Sequence, residues 1–287
     1  MTGAVFPDDA LNALASLYPG EAGVLSHRLL DHPLLALDAL AALAQRIRPI
    51  DVEQNVGDLP VGIAPDEIRH NGLSAADTIR SIEENGSWMV LKFVEQDPAY
   101  RALLDEILAE IEPVAGPRTG AMLKREGFIF VSSPYAVTPF HFDPEHNILL
   151  QIRGSKTVTV FPAHDPQIAD GRLHETFHRG GHRNLPFRDS FAERGRALAI
   201  GPGEAAFVPV KAPHWVRNGP APSISFSVTW RSEWSYREAD AHGLNRLLRR
   251  IGLAPALPRP FPHQNHGKSI AYRAIRRAQR MIGIGPR

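Results

Sequence analysis

The stretch TPFHFDPEHNILLQIRGSK, residues 138–156, decides how this chain is read. His141 and Asp143 stand two apart in an extended, apolar-rich run, and side chains two apart on a strand point to the same face. A histidine beside a carboxylate supplies two thirds of the 2-His-1-carboxylate set that holds a metal with open positions. With 13 histidines in 287 residues the pair alone says little, because a surface histidine before a turn-forming Asp-Pro looks the same. The neighbours add weight. Steps of two from His141 reach Asp143, Glu145, Asn147, Leu149, Gln151 and Arg153, whereas Ile148, Leu150 and Ile152 fall on the other face. Gly154-Ser155 then reads as a type II′ hairpin turn that pairs Arg153 with Lys156 and puts Lys156 on the polar face of the next strand. A polar face inside a β structure needs a reason, since buried polar groups cost free energy unless paired.

A third ligand is expected from a distant strand. GPGEAAFVPVKAPHWVRNG (201–219) offers a Pro-Gly turn, a short apolar strand and His214 beside Trp215, and the strand SISFSVTWRS (223–232) follows. With these residues the chain resembles the JmjC/cupin-like Fe(II)- and 2-oxoglutarate-dependent oxygenases, and most of all the branch containing the asparaginyl hydroxylase that acts on hypoxia-inducible factor. In that branch a Thr three residues before the first His and a Lys fifteen after it bind the distal carboxylate of 2-oxoglutarate; Thr138 and Lys156 stand at those positions, and Asn147 matches a further cosubstrate-side Asn. The resemblance spans residues 125–232 and departs at the last strand, where that hydroxylase has an Asn and this chain offers Ser227 or Thr229. It implies a double-stranded β-helix (jelly-roll) core, Fe(II) held by His141, Asp143 and His214, and 2-oxoglutarate contacted by Thr138, Asn147, Lys156 and Ser227. It also implies O2 at the remaining metal position. Tyr135 and Trp215 are candidate lining residues.

Composition narrows the field. No cysteine means no disulfide and no thiolate metal site, which fits a reducing compartment and argues against zinc-dependent chromatin-reading modules, hence against histone demethylation. The N-terminus lacks a basic segment followed by an apolar core, and no window holds eighteen uninterrupted apolar residues, so a cytoplasmic protein without a membrane span is expected. Net charge is +1, but residues 1–115 hold 19 acidic and 7 basic residues while residues 235–287 hold 2 and 11. The basic tail carries no nucleic-acid motif, so charge attraction within the chain or across a dimer accounts for it better than nucleic acid does.

Three parts are expected. Residues 1–115 read as mostly helical, from LLALDALAALAQRI (34–47), AADTIRSIEEN and AYRALLDEILAEIEP, with VLSHRLL and SWMVLKFV as short strands and an aperiodic loop over 51–62. Pro113 and Gly116-Pro117 should stop the last helix. These helices would cover the apolar outer face of the barrel. Residues 116–234 form the β-rich core, through FIFVSS, HNILLQI, KTVTVFP, RALAIG, EAAFVPV and SISFSVTW. Residues 235–287 form a basic helical extension, and its amphipathic segments, by resemblance, suit a homodimer contact.

An insert over 163–196 contains His174-Glu175-Thr176-Phe177-His178, which matches the H-E-x-x-H zinc-protease pattern. That chemistry needs a stable helix, and Gly171 and Gly180-Gly181 leave little room for one. The insert, with His178, His182, Arg183 and Arg188, is expected to rim the barrel mouth. The reading is a 2-oxoglutarate-dependent hydroxylase of a peptide side chain or polar small molecule. Two alternatives stand beside it: a cupin enzyme that uses a metal without 2-oxoglutarate, with His146 as an added ligand, and a cupin-like binding protein without turnover.

Overall fold

The structure is a computed structural model that describes residues 3–58, 60–63, 67 and 71–283. Residue 59 of the 51–62 loop, residues 1–2, 64–66 and 68–70 of the N-terminal part, and residues 284–287 of the C-terminal part lie outside the described residues.

The strand Ser223–Ser232 alternates strictly: Ile224, Phe226, Val228 and Trp230 face one way, Ser225, Ser227 and Thr229 the other, and every residue in it is buried. Only a central strand with a layer on both sides can bury such a sequence. It is β11, in the middle of a seven-stranded antiparallel sheet ordered β1 (Gly23–Ser26), β9 (Glu204–Val208), β6 (His146–Arg153), β11, β4 (Met122–Ser132), β3 (Ser87–Lys92), β2 (Val52–Val56). A four-stranded antiparallel sheet faces it, ordered β5 (Val137–His141), β10 (His214–Asn218), β7 (Lys156–Val160), β8 (Arg196–Ile200). Leu149, Ala206 and Val208 of the large sheet pack between the layers on Val158, Leu198, Ile200 and Val216 of the small one. The architecture is mostly β with flanking helices, in keeping with a jelly-roll core.

Helices cover the outer face of the large sheet. Ile129, Val131, Ile148, Leu150, Phe226 and Val228 share one core with Leu14 of α1 (Asp8–Leu17), Leu40 and Leu43 of α2 (Leu37–Arg46), Ile79 of α3 (Ala75–Arg80), and Ile107, Leu108 and Ile111 of α4 (Pro98–Thr119). Each such side chain contributes about 1.5–3 kcal/mol on burial. Buried polar contacts pin the layers: the Tyr18 hydroxyl meets Thr119 Oγ1 at 2.5 Å, and His146 Nε2 meets Ser232 Oγ at 2.9 Å. His146 stacks on Trp230 on this outer side, so it cannot join ligands on the inner face. Over the small sheet, Phe140, Phe161 and Trp215 pack with Ile168, Leu185 and Phe191 of the insert.

Several local expectations are corrected. β5 ends at His141 and β6 begins at His146, so His141 and Asp143 do not share one strand; the chain crosses between sheets there. The Gly154-Ser155 turn is not a hairpin. β6 pairs with β11 and β9, β7 with β10 and β8, and the turn carries the chain across the sandwich. Helix α4 runs through Pro113 and Pro117 to Thr119, because both prolines are exposed while the buried stripe continues through Ala115 and Thr119. The carbonyls that lose a donor thus remain open to water. Val52–Val56 is a strand whose polar sequence suits an edge position. H-E-T-F-H does lie on a short helix, α5 (Gly171–Phe177), but Glu175 is held by Arg249 at 3.0 Å and is not poised as a base. The C-terminal part holds α6 (Glu233–Arg250) and α7 (His266–Met281).

Gly154 adopts φ +69°, and a Cβ there would overlap the Pro222 carbonyl oxygen. Gly154→Ala is expected to lower stability by about 1–3 kcal/mol, read as a drop in the urea midpoint at unchanged m-value; an unchanged midpoint would show that the crossing tolerates a side chain.

Candidate metal centre

The antiparallel register places His214, first residue of β10, directly opposite His141, last residue of β5. Cross-strand partners lie side by side, and the two ring centroids are 4.2 Å apart. Each ring is fixed the same way: His141 Nδ1 bonds the Pro139 carbonyl at 2.7 Å and His214 Nδ1 bonds the Ala212 carbonyl at 2.9 Å. Nδ1–H therefore donates in both, and both Nε2 lone pairs are free. They converge on Asp143 Oδ2, at 3.6 Å from His141 and 3.8 Å from His214.

Asp143 sits in the loop after β5, and its other oxygen accepts from Arg183 at 2.7 Å. Burial alone would raise the Asp143 pKa, but the Arg183 cation, followed by His141, holds it far below the usual carboxylate range. Burial, with His141 next, lowers His214 to about 4, so its imidazole is neutral at pH 7 as a ligand must be. Ligand atoms of His141, Asp143 and His214 all lie within 4.8 Å of one another, the sole such group among the described residues. Two imidazoles and one carboxylate on one side, with a cavity on the other, fit a metal of the Fe(II) type.

That cavity, about 600 Å³, lies between the sheets. Thr138, Asn147, Leu149, Lys156, Val158, Val216, Ser227 and Thr229 line it together with the triad. Asn147 Oδ1 accepts from the Ser227 hydroxyl at 2.8 Å, which leaves the Asn147 amide to donate elsewhere. Thr229 spends its hydroxyl on the Glu126 carbonyl at 3.0 Å, whereas the Ser227 hydroxyl orients Asn147, so Ser227 is the better-placed of the two candidates. Lys156 is 6% exposed, and its ammonium has no ion pair or hydrogen bond among the described residues. Burial pushes its pKa down to about 7.

The insert supplies the remaining wall. Phe142 N–H donates to the Arg183 carbonyl, Leu185 N–H to the Phe140 carbonyl, and His141 bridges Asn184, so residues 183–185 run beside β5. Phe177, His182, Arg183 and Asn184 line the cavity. His178 does not; it is half-buried, packed beside His242. Nor does Arg188, whose guanidinium lies over Phe191. Tyr135 is exposed and Trp215 packs with the aromatic cluster, so neither lines the cavity. Sequence reasoning missed the wall formed by Glu53, Trp88, Lys92 and Phe128, because it lies on strands far from the motif. Glu145 also faces the cavity, its pKa raised to about 7 by burial and then by Asp143.

No family model and no curated protein sequence matches the chain. Solved structures do. An X-ray structure of E. coli ycfD aligns with TM-score 0.55 at 18% identity, covering 96% of this chain and 69% of that one. The chain shares that fold. A structure of YcfD, described as a ribosomal oxygenase from E. coli in complex with cobalt and 2-oxoglutarate, aligns with TM-score 0.52 at 16% identity, covering 95% and 67%. These structures do not confirm the narrower likeness to the asparaginyl hydroxylase branch. Among the described residues no helix is long and apolar enough to cross a membrane.

An unpaired ammonium in this cavity destabilises the empty protein. A depression from 10.5 to about 7 is worth on the order of 5 kcal/mol. The unfolded chain binds the proton below 10.5 and the folded one only below about 7, so this contribution makes stability rise with pH across that window. Lys156→Met is expected to raise the thermal midpoint at pH 7 by several degrees and flatten that rise; a lower midpoint would refute the unpaired-cation account.

Proposed function

We propose that this chain is an Fe(II)- and 2-oxoglutarate-dependent oxygenase that hydroxylates a peptide side chain or a polar small molecule. The observation that carries the reading is Lys156: a buried ammonium without a counterion, lining the same cavity as the His141/Asp143/His214 group. A buried cation calls for an anion, and a dicarboxylate that also reaches the metal answers both needs. The cobalt and 2-oxoglutarate complex of YcfD, on a shared fold, supports it.

In this reading His141 and His214 present Nε2, and Asp143 presents Oδ2, to Fe(II). Bound iron supplies activation of O2 coupled to oxidative decarboxylation of 2-oxoglutarate to succinate and carbon dioxide. Lys156 and Thr138 hold the distal carboxylate by charge-assisted hydrogen bonds, and the free Asn147 amide, set by Ser227, donates beside them. Leu149, Val158 and Val216 keep that end dry. Arg183 fixes the outer oxygen of Asp143, which leaves the inner one for the metal. A cupin chemistry without 2-oxoglutarate would need another histidine and would leave Lys156 unused; His146, the one near in sequence, faces the helices.

The substrate would occupy the outer cavity between the 180–184 segment and the Trp88/Phe128 wall. Ile270, Met281 and Ile282 are exposed on and just after α7, and we assign them to the homodimer contact that the resemblance implies.

The test is an anaerobic titration of the Fe(II)-loaded protein with 2-oxoglutarate, monitored by the visible metal-to-ligand charge-transfer band. A saturable band is expected, with affinity about 10- to 100-fold weaker in Lys156→Ala, and no turnover in Asp143→Ala. Iron binding without any band would overturn the cosubstrate assignment, and full activity in Asp143→Ala would overturn the metal assignment.

A further inference from the structure

Lys211 lies in the loop between β9 and β10, three residues before His214, and is 3% exposed. It is tied to both sides of the metal group. Its backbone N–H donates to the Asp143 carbonyl at 2.8 Å, and the next residue, Ala212, accepts the His214 Nδ1 bond. Its backbone has φ +60°, a left-handed conformation that a residue with a side chain keeps only where its surroundings impose it.

The Lys211 side chain meets such surroundings. Nζ stands 2.7 Å from Oε1 of Glu238 on α6, with the two side chains only 3% and 1% exposed. It also lies 3.4 Å from Nε2 of His242, one turn further along α6. His174 and His178, from α5 and its C-terminal end, pack on the His242 ring at centroid distances of 4.9 and 5.6 Å. Burial, with the Lys211 cation next, disfavours protonation of all three imidazoles, so Glu238 is the group that balances Lys211. Helix α6 is itself fixed, by a capping box between Ser232 and Ser235 and by Arg249 on Glu175.

A buried ion pair is a weak source of stability, since desolvation consumes most of the attraction, but its geometry is specific. We propose that the Lys211–Glu238 pair is a strut that holds the His214 loop and the Asp143 peptide at metal-binding spacing, making α6 a positioning element of the centre although it supplies no ligand. The inference rests on the metal reading above. Lys211 and Glu238 are positioning residues in it, touching neither metal nor substrate.

The test is Co(II) titration of the apo protein, followed by ligand-field absorption, beside thermal unfolding of the same apo samples. Three variants are compared with wild type. Glu238→Gln keeps shape and removes charge. Lys211→Gly suits the left-handed backbone, so it keeps the amide bond to Asp143 while deleting the strut. The double variant Lys211→Met with Glu238→Leu replaces the pair by apolar packing, which commonly restores stability. Co(II) affinity is expected to fall about 10- to 100-fold in all three, the usual cost of losing outer-shell support, with an altered ligand-field spectrum. The double variant should do so at a thermal midpoint at or above wild type. Affinities within twofold of wild type, or a double variant that recovers both midpoint and affinity, would overturn the strut and leave the pair as packing. Failure of wild type to bind Co(II) would instead overturn the metal reading beneath it.

Discussion

Two imidazoles held side by side by one antiparallel register are the constraint on which this molecule depends. Pairing of β5 with β10 sets His141 opposite His214 before any metal is considered. Each ring is then locked by a backbone carbonyl two residues earlier in the chain. Rotational freedom is thereby removed from both rings by local structure, and only the third group must be brought in from outside the ladder. Asp143 is brought in by a loop whose carbonyl is pinned by Lys211 and whose carboxylate is pinned by Arg183.

A polar interior of this kind needs stability from elsewhere. The sandwich obtains it from the other side of the large sheet, where four helices bury a continuous aliphatic layer on β4, β6 and β11. The division shows within β11, whose apolar residues anchor the helices while Ser225, Ser227 and Thr229 face inward at no cost in packing. Hydroxyls there are satisfied pairwise, Ser227 by Asn147 and Ser225 by Gln151 at 2.6 Å, so the inner face is polar without being orphaned. Lys156 is the exception.

Much of this was legible in residue spacing. The parity count from His141 through Leu149 picked out side chains that line the cavity, and Ile148, Leu150 and Ile152 do pack outward. Parity survived although the strand does not: Asp143 and Glu145, in the crossing from β5 to β6, still reach the cavity. The Gly154 turn misled because a glycine at positive φ serves a hairpin and a sheet-to-sheet crossing equally well. Proline in α4 misled because its cost depends on exposure, which spacing does not reveal. Arg183 was legible as a rim residue, but its tie to Asp143, and Lys211 altogether, escaped because each acts through a partner far away in sequence, Asp143 and Glu238. Strand β2 lacks periodicity because an edge strand buries little of either face.

The insert does more than border the cavity. Its residues 183–185 are hydrogen-bonded along β5 and its aromatic residues back the same strand, so the wall met by an incoming molecule and the strand bearing His141 form one mechanical unit. Whatever seats against residues 180–184 presses on the strand bearing a candidate metal ligand. Linkage makes that traffic reciprocal: an occupied metal group stiffens the wall, and a well-seated molecule tightens the metal group. On the proposed reading the groove and the candidate metal centre are therefore not separable parts, and changes in the insert carry consequences for both.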